Sequence, residues 1–151
     1  MCICSVYVYS HMETQTRTMD ASAIVLALNQ KLLNAIAAND YETYKELCDP
    51  ALTCFEPESA GHLVEGLDFH KFYFDNCSPA PVDPAKPCVL NTMAGPKVYM
   101  LGSSGAVVAY TRLVQKMVGR DPVTVRAQET RVWELKDQKW VHVHFHKSVS
   151  S

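Results

Sequence analysis

Three histidines alternate near the end of the chain, at His142, His144 and His146, and three cations stand in apolar stretches, at Arg112, Arg131 and Lys147. In a strand, residues two positions apart share a face and lie roughly 6.5–7 Å from one another. Alternation therefore puts Val141, Val143, Phe145 and Lys147 on one side, a core face ending in a cation, and the three imidazoles on the other. A His-x-His-x-His row can lend two ligands to zinc, but a tetrahedral site needs three or four converging groups. Nothing else in the sequence nominates the missing ligand, so the row reads as a surface or contact strip and no metal is expected. At a contact between copies, protonation below about pH 6.5 would add like charge and loosen it.

Arg112 and Arg131 imply a different chemistry. An unpaired charge in mid-strand is costly. Each must snorkel outward, pair with a carboxylate such as Glu129 or Glu134, or face a polar cavity. In the last case Arg112, Arg131 and Lys147 converge, and they would bind the carboxylate of a small molecule or a peptide. His70, set among aromatic residues, reads as a hydrogen-bonded core histidine rather than a general base. The sequence contains no nucleophile elbow, phosphate loop, dinucleotide fingerprint, His-Glu-x-x-His pattern or Cys-x-x-Cys pair, and no protein-kinase motif. No catalytic residue and no cofactor is nominated.

These side chains need a frame. The 151 residues suffice for one domain with its own core. Fourteen basic and sixteen acidic residues leave a net charge of −2, which argues against a nucleic-acid sleeve or a polybasic membrane anchor. No apolar run reaches the ~18 residues of a membrane span, and the first residues lack the basic start of a secretory signal. Six scattered cysteines in a domain with its own core read as free thiols of a reducing compartment, cytosol or nucleus, and a cytoplasmic protein is expected.

Periodicity predicts helices over Asp20–Asn39, Tyr41–Cys48 and Leu67–Asn76, with Asp49-Pro50 stopping the second. Short strands are expected at residues 1–9 and 52–55. After a proline-rich loop at 78–87 come strands at Cys88–Met93, Lys97–Leu101, Ala106–Val118, Val123–Leu135 and Lys139–Lys147, with a turn at Gly95-Pro96. Helices followed by a run of antiparallel strands make an α+β domain, a curved sheet with helices on one face. Residues 1–19 are expected to be an extension of one short strand plus linker, residues 20–148 the domain and residues 149–151 a tail. The apolar leader MCICSVYVY is expected to add a strand to a sheet edge.

Several ordered stretches resemble one family. They are Asp40–Tyr44, Cys48–Thr53, Phe55–Glu58, Leu63–Phe74 (LVEGLDFHKFYF), Glu129–Trp133 (ETRVW) and Trp140–His146 (WVHVHFH). Together they are similar to the association, or hub, domain of calcium/calmodulin-dependent protein kinase II, here without kinase motifs: either an excised domain or, as the initial Met and the unfamiliar leader favour, a free-standing homologue. The likeness runs from about Ala21 to Ser148.

The resemblance implies a cone-shaped nuclear-transport-factor-2-like fold, with a long helix across a strongly bent antiparallel sheet. It implies self-association into two stacked rings, expected to hold more than ten subunits and open to kinase II subunits. It also implies a polar pocket for small carboxylates or peptide segments, at Tyr44, His70, Arg112, Arg131 and Lys147. Lys147 stands where the family has an arginine; it keeps the charge and loses the planar two-pronged grip. Ser78 stands where the family tends to have a tryptophan. Other members of the fold are isomerases, dehydratases and cyclases, which makes a small-molecule enzyme the alternative reading. No Asp or Glu is clearly placed as a base in the pocket.

Overall fold

The computed structural model describes residues 20–76 and 89–149. The expected strand at 1–9, the linker at 14–19, the proline-rich loop at 78–87 and residues 150–151 lie outside the described residues, as do Cys2, Cys4, Cys77 and Cys88.

Helix α1 covers Ala21–Ala37. The Asp20 side chain accepts from the Ser22 backbone N–H and so caps its start. Val25, Asn29, Leu32 and Leu33 recur at helical spacing and form its buried stripe. Full burial of a leucine such as Leu32, Leu33 or Leu52 stabilises by about 1.5–3 kcal/mol. Asn39, left-handed at φ 56°, turns the chain, and its side-chain amide donates to the Phe74 carbonyl at 3.1 Å.

Helix α2, Tyr41–Leu47, is capped by Asp40, which accepts from the Thr43 N–H at 3.0 Å. It ends one residue earlier than expected. Strand β1, Cys48–Phe55, follows without a loop, because Pro50 disfavours helical geometry at Asp49. A short 3₁₀ turn at Pro57–Ser59, the two-residue strand β2 (Val64–Glu65) and helix α3 (Asp68–Asn76) complete the first part.

The second part is a meander of β3 (Val89–Leu101), β4 (Gly105–Val118), β5 (Asp121–Lys136) and β6 (Lys139–Val149). The six strands form a single curved sheet in the order β2-β1-β6-β5-β4-β3. All neighbours are antiparallel except β1 and β6, which run parallel. Sequence order had suggested antiparallel pairing throughout. The chain separating β1 from β6 is long enough to return in either sense, so no hairpin constrains that pair. Asp137 and Gln138 both take positive φ, 48° and 63°, the geometry of a tight two-residue hairpin turn between β5 and β6.

Two bulges correct the simple reading. Gly95-Pro96 is not a turn between two strands, since β3 runs through it. The pairs Ala94–Thr111 and Lys97–Ala109 advance three residues on β3 against two on β4. Gly95 supplies the positive φ of 59° that such a bulge uses. Pro96 is tolerated because β3 is a terminal strand of the sheet.

The second bulge lies in β6. His142 pairs with Trp133 and His144 with Val132, so Val143 is the extra residue. Alternation breaks there. Trp140 and His142 face the core upstream, and Phe145 and Lys147 share the inner face with Arg131 and Glu129 downstream. The expected outward row of three imidazoles therefore does not exist. His142 is fully buried, His144 is half-buried against Thr53, and His146 is exposed.

The core lies between α1 and the inner face of the sheet. Asn29 is buried with it: its amide oxygen accepts from the Trp133 indole N–H at 3.1 Å, and its amide nitrogen lies 3.1 Å from the Met93 sulfur. Asn91 on β3 donates to the Leu33 carbonyl at 2.9 Å. These bonds fix where the helix crosses the sheet.

Candidate functional site

The inner face leaves a cavity of about 160 Å³ between α2, α3 and the sheet. A volume near 150 Å³ accommodates a ligand of about benzene size. Tyr44, His70, Arg112, Arg131 and Lys147 all line it. The structure thus gathers from five elements every residue that the resemblance nominated. It also places Glu56, Glu58 and Tyr73 in the wall. The sequence placed no Asp or Glu clearly as a base in the pocket, and the structure puts these two glutamates in its wall. Glu56-Pro57-Glu58 read only as a loop, and strand periodicity is silent where no strand exists.

The floor is a polar network on β4 and β5. Alternation puts Ala127, Glu129, Arg131 and Trp133 on the buried side of β5. Glu129 joins both arginines: Oε1 accepts from Arg112 Nη1 at 3.2 Å, and Oε2 lies 2.9 Å from Arg131 Nη2 and 3.0 Å from its Nε. Tyr110, directly opposite Glu129 in the register, donates its hydroxyl to Oε2. Arg112 Nε donates to Asn91 Oδ1 at 2.9 Å. Burial alone would raise the Glu129 carboxyl, but the Arg131 and Arg112 guanidiniums and the Tyr110 hydroxyl bring it down to about 2. Two of the three sequence options for the arginines hold together, since they pair with Glu129 and face the cavity. Two guanidiniums against one carboxylate leave one net positive charge on the floor. Among the described residues Arg112 Nη2 has no acceptor.

The mouth carries the opposite balance. Lys147 Nζ lies 2.7 Å from Glu58 Oε1 and 3.9 Å from Glu56 Oε2. Burial acts to raise the Glu58 carboxyl, yet its bond to Lys147 leaves it below the usual range. The cations do converge, but each has an acidic partner.

His70 packs its ring against Tyr44, Phe69 and Phe145. It does more than fill the core. Its Nε2 lies 3.3 Å from Glu56 Oε1 and 3.4 Å from Cys54 Sγ, while Nδ1 is buried and has no partner among the described residues. Burial, and then the nearby Glu56 carboxylate, pushes the Cys54 thiol up to about 12, so the free side chain is no thiolate nucleophile. On the far side of Arg131, His142 Nε2 is 3.4 Å from Nη1 and its Nδ1 is 3.6 Å from Cys48 Sγ. Burial and the Arg131 charge hold His142 well below the ordinary histidine range, hence neutral. Alternation alone gave no sign of His142 in this network.

A bent sheet crossed by a long helix and closed over a polar cavity defines the nuclear-transport-factor-2-like class. The fold is shared with an NTF2-like protein from Cytophaga hutchinsonii, 17% identical, with a TM-score of 0.68 over 87% of this chain and 100% of that one. Within that class, residues 21–151 match the calcium/calmodulin dependent protein kinase II association domain, and the chain belongs to that family. It is 63% identical to the CaMKII hub homology domain of Chlamydomonas reinhardtii, with a TM-score of 0.80 over 88% of this chain and 100% of that one. It is 45% identical over 127 residues to the delta subunit of calcium/calmodulin-dependent protein kinase type II from Oryctolagus cuniculus. That match takes in 83% of this chain and 23% of the rabbit subunit.

Proposed function

We propose that this chain is a self-association module whose copies close into a two-layered ring of more than ten subunits. The observation that carries the reading is the match to the association-domain family over residues 21–151. Surface chemistry supports it. Strand β3 ends the sheet and exposes Leu90, Tyr99 and Leu101, while the end of β4 exposes Met117 and Val118. A long strand edge with exposed apolar side chains favours association. Residues 20–148 are the assembling unit, and kinase II subunits are candidate partners in mixed rings. The free thiols Cys48 and Cys54 suit a reducing, cytoplasmic setting. Among the described residues no helix is long and apolar enough to cross a membrane.

The cavity is the module's ligand site. Arg112 and Arg131 would hold a small carboxylate or the acidic end of a peptide segment, with Tyr44 and His70 shaping the wall. Light scattering and native mass spectrometry of the purified chain test the assembly. A mass of more than ten protomers is expected, and a lone protomer at micromolar concentration overturns the reading.

A second reading, a small-molecule enzyme of the isomerase, dehydratase or cyclase kind, is favoured by Glu56. Its carboxylate lies against the His70 imidazole in the cavity wall, where a base could reach a substrate proton. Turnover of a cavity-sized substrate, lost in Glu56→Gln, is the measurement that would establish it.

A further inference from the structure

We propose that Cys54, Glu56 and His70 form a three-ligand site for a tetrahedral divalent metal ion, zinc by preference, with its fourth position open to the cavity. The histidines of β6 offer a metal too few converging ligands. The structure brings a different trio together, with Cys54 Sγ, Glu56 Oε1 and His70 Nε2 all within 4.8 Å of one another.

The spacings are those a zinc ion needs. Bond lengths near 2.3 Å to sulfur and 2.0–2.2 Å to nitrogen and oxygen, at tetrahedral angles, require ligand–ligand edges of about 3.6 Å for S–N, 3.3 Å for N–O and 3.5 Å for S–O. The observed edges are 3.4 Å from Cys54 to His70, 3.3 Å from His70 to Glu56 and 3.9 Å from Cys54 to Glu56. Only the last edge must close, by roughly 0.4 Å, and a small rotation of the Glu56 side chain supplies that.

The frame is rigid where a site needs it to be. Cys54 is fully buried and pairs with Val64 of β2 on one side and Phe145 of β6 on the other. Cys54 and Glu56 are two positions apart, and His70, on α3, is clamped between the rings of Tyr44 on α2 and Phe145 on β6. Lys147 approaches the other Glu56 oxygen, Oε2, leaving Oε1 for the ion. Glu56 and His70 line the cavity, so a water or a ligand carboxylate reaches the fourth position from there.

A mixed thiolate, imidazole and carboxylate set suits zinc, whereas calcium and magnesium take oxygen ligands and copper(II) prefers tetragonal geometry. On binding, the Cys54 S–H bond breaks, sulfur bonds to the metal and the proton leaves to solvent. Among the described residues His70 Nδ1 has no acceptor to orient the ring. The affinity is therefore expected to be about 10–100-fold below that of a comparable site with such a contact.

The test uses the full chain with Cys2, Cys4, Cys77 and Cys88 changed to Ser, stripped with chelator and titrated with cobalt(II), then competed with zinc. The expected result is one ion per protomer, with a thiolate-to-cobalt charge-transfer band and the strong visible bands of four-coordinate cobalt, both erased by zinc. Cys54→Ala should remove the charge-transfer band, and His70→Gln, which deletes a direct ligand, should weaken binding by about 100-fold or more, beyond the 10–100-fold that loss of an outer contact costs. Unchanged near-ultraviolet circular dichroism checks the fold of both variants. Absence of the band in the parent protein, or its persistence in Cys54→Ala, overturns the proposal. Neither readout depends on how many copies assemble.

Discussion

Glu129 and Arg131 lie two positions apart on β5, and one carboxylate oxygen receives both Nε and Nη2 of the guanidinium, at 3.0 and 2.9 Å. Both side chains are out of contact with solvent, and Arg112 completes the cluster from the neighbouring strand. Removing one member of a buried ion cluster strands the others. Glu129→Gln keeps the shape and leaves two guanidiniums without an anion. It should destabilise the fold by about 3–5 kcal/mol in urea unfolding at fixed protein concentration. Acid should act at the same place. The folded carboxyl titrates near 2 against an ordinary 4.5, so its contribution is complete above pH 4.5 and is lost as the pH falls toward 2. The loss should approach about 3 kcal/mol in the parent and vanish in Glu129→Gln.

His142 governs a second, milder window. It is buried and neutral, and its folded pKa lies well below the ordinary 6.5. Its contribution is present above pH 6.5 and declines as the pH falls, because only the unfolded chain takes up the proton. Stability should drop by about 1.4 kcal/mol per pH unit below 6.5 from this group. His142→Gln should flatten that slope. Native mass spectrometry between pH 8 and 5.5 should give the same assembly for the parent and His142→Gln, since the residue lies inside the protomer.

If the cavity holds an anion as proposed, its charge balance makes that affinity tunable in both directions. Arg112→Ala should weaken acetate binding by roughly 10–100-fold in calorimetry, the worth of a charge-assisted hydrogen bond. Glu58→Gln releases Lys147 from its 2.7 Å partner and should tighten the same anion several-fold. If Glu58→Gln weakens binding instead, Lys147 takes no part in holding the ligand.

The exposed edge of β3 yields the fourth expectation. Tyr99 and Leu101 are 58% and 57% exposed, and a charge at either should oppose any contact made there. Tyr99→Glu should lower the particle mass seen by light scattering while leaving circular dichroism unchanged.

Regular elements were legible where periodicity had room to repeat. Apolar residues at helical spacing between Ile24 and Ile36 announced α1, whereas the place of Asn29 in its buried stripe and the inward alternation of Ala127, Glu129, Arg131 and Trp133 on β5 came from the structure. Arg112 and Arg131 drew notice because a charge in an apolar strand requires a partner, and both partner and cavity exist. What escaped was what a period cannot encode. A single added residue at Val143 reverses the side on which His142 lies, and another at Gly95 makes a bulge resemble a turn. Glu56 and Glu58 reach the cavity from irregular backbone, and β2 is too short to announce itself. The family resemblance supplied Tyr44 and His70, which no local pattern had singled out for a pocket.

The extra residue in β6 has a consequence for how this strand tolerates change. Val143 is a link of slack: a chain lacking it could pair His142 with Trp133 and His144 with Val132 as now, and every other side chain would keep its side. Loss of His146 instead would turn Lys147 outward and strip a cation from the cavity mouth. Length variation among relatives in this strand should therefore gather at one link and spare the rest.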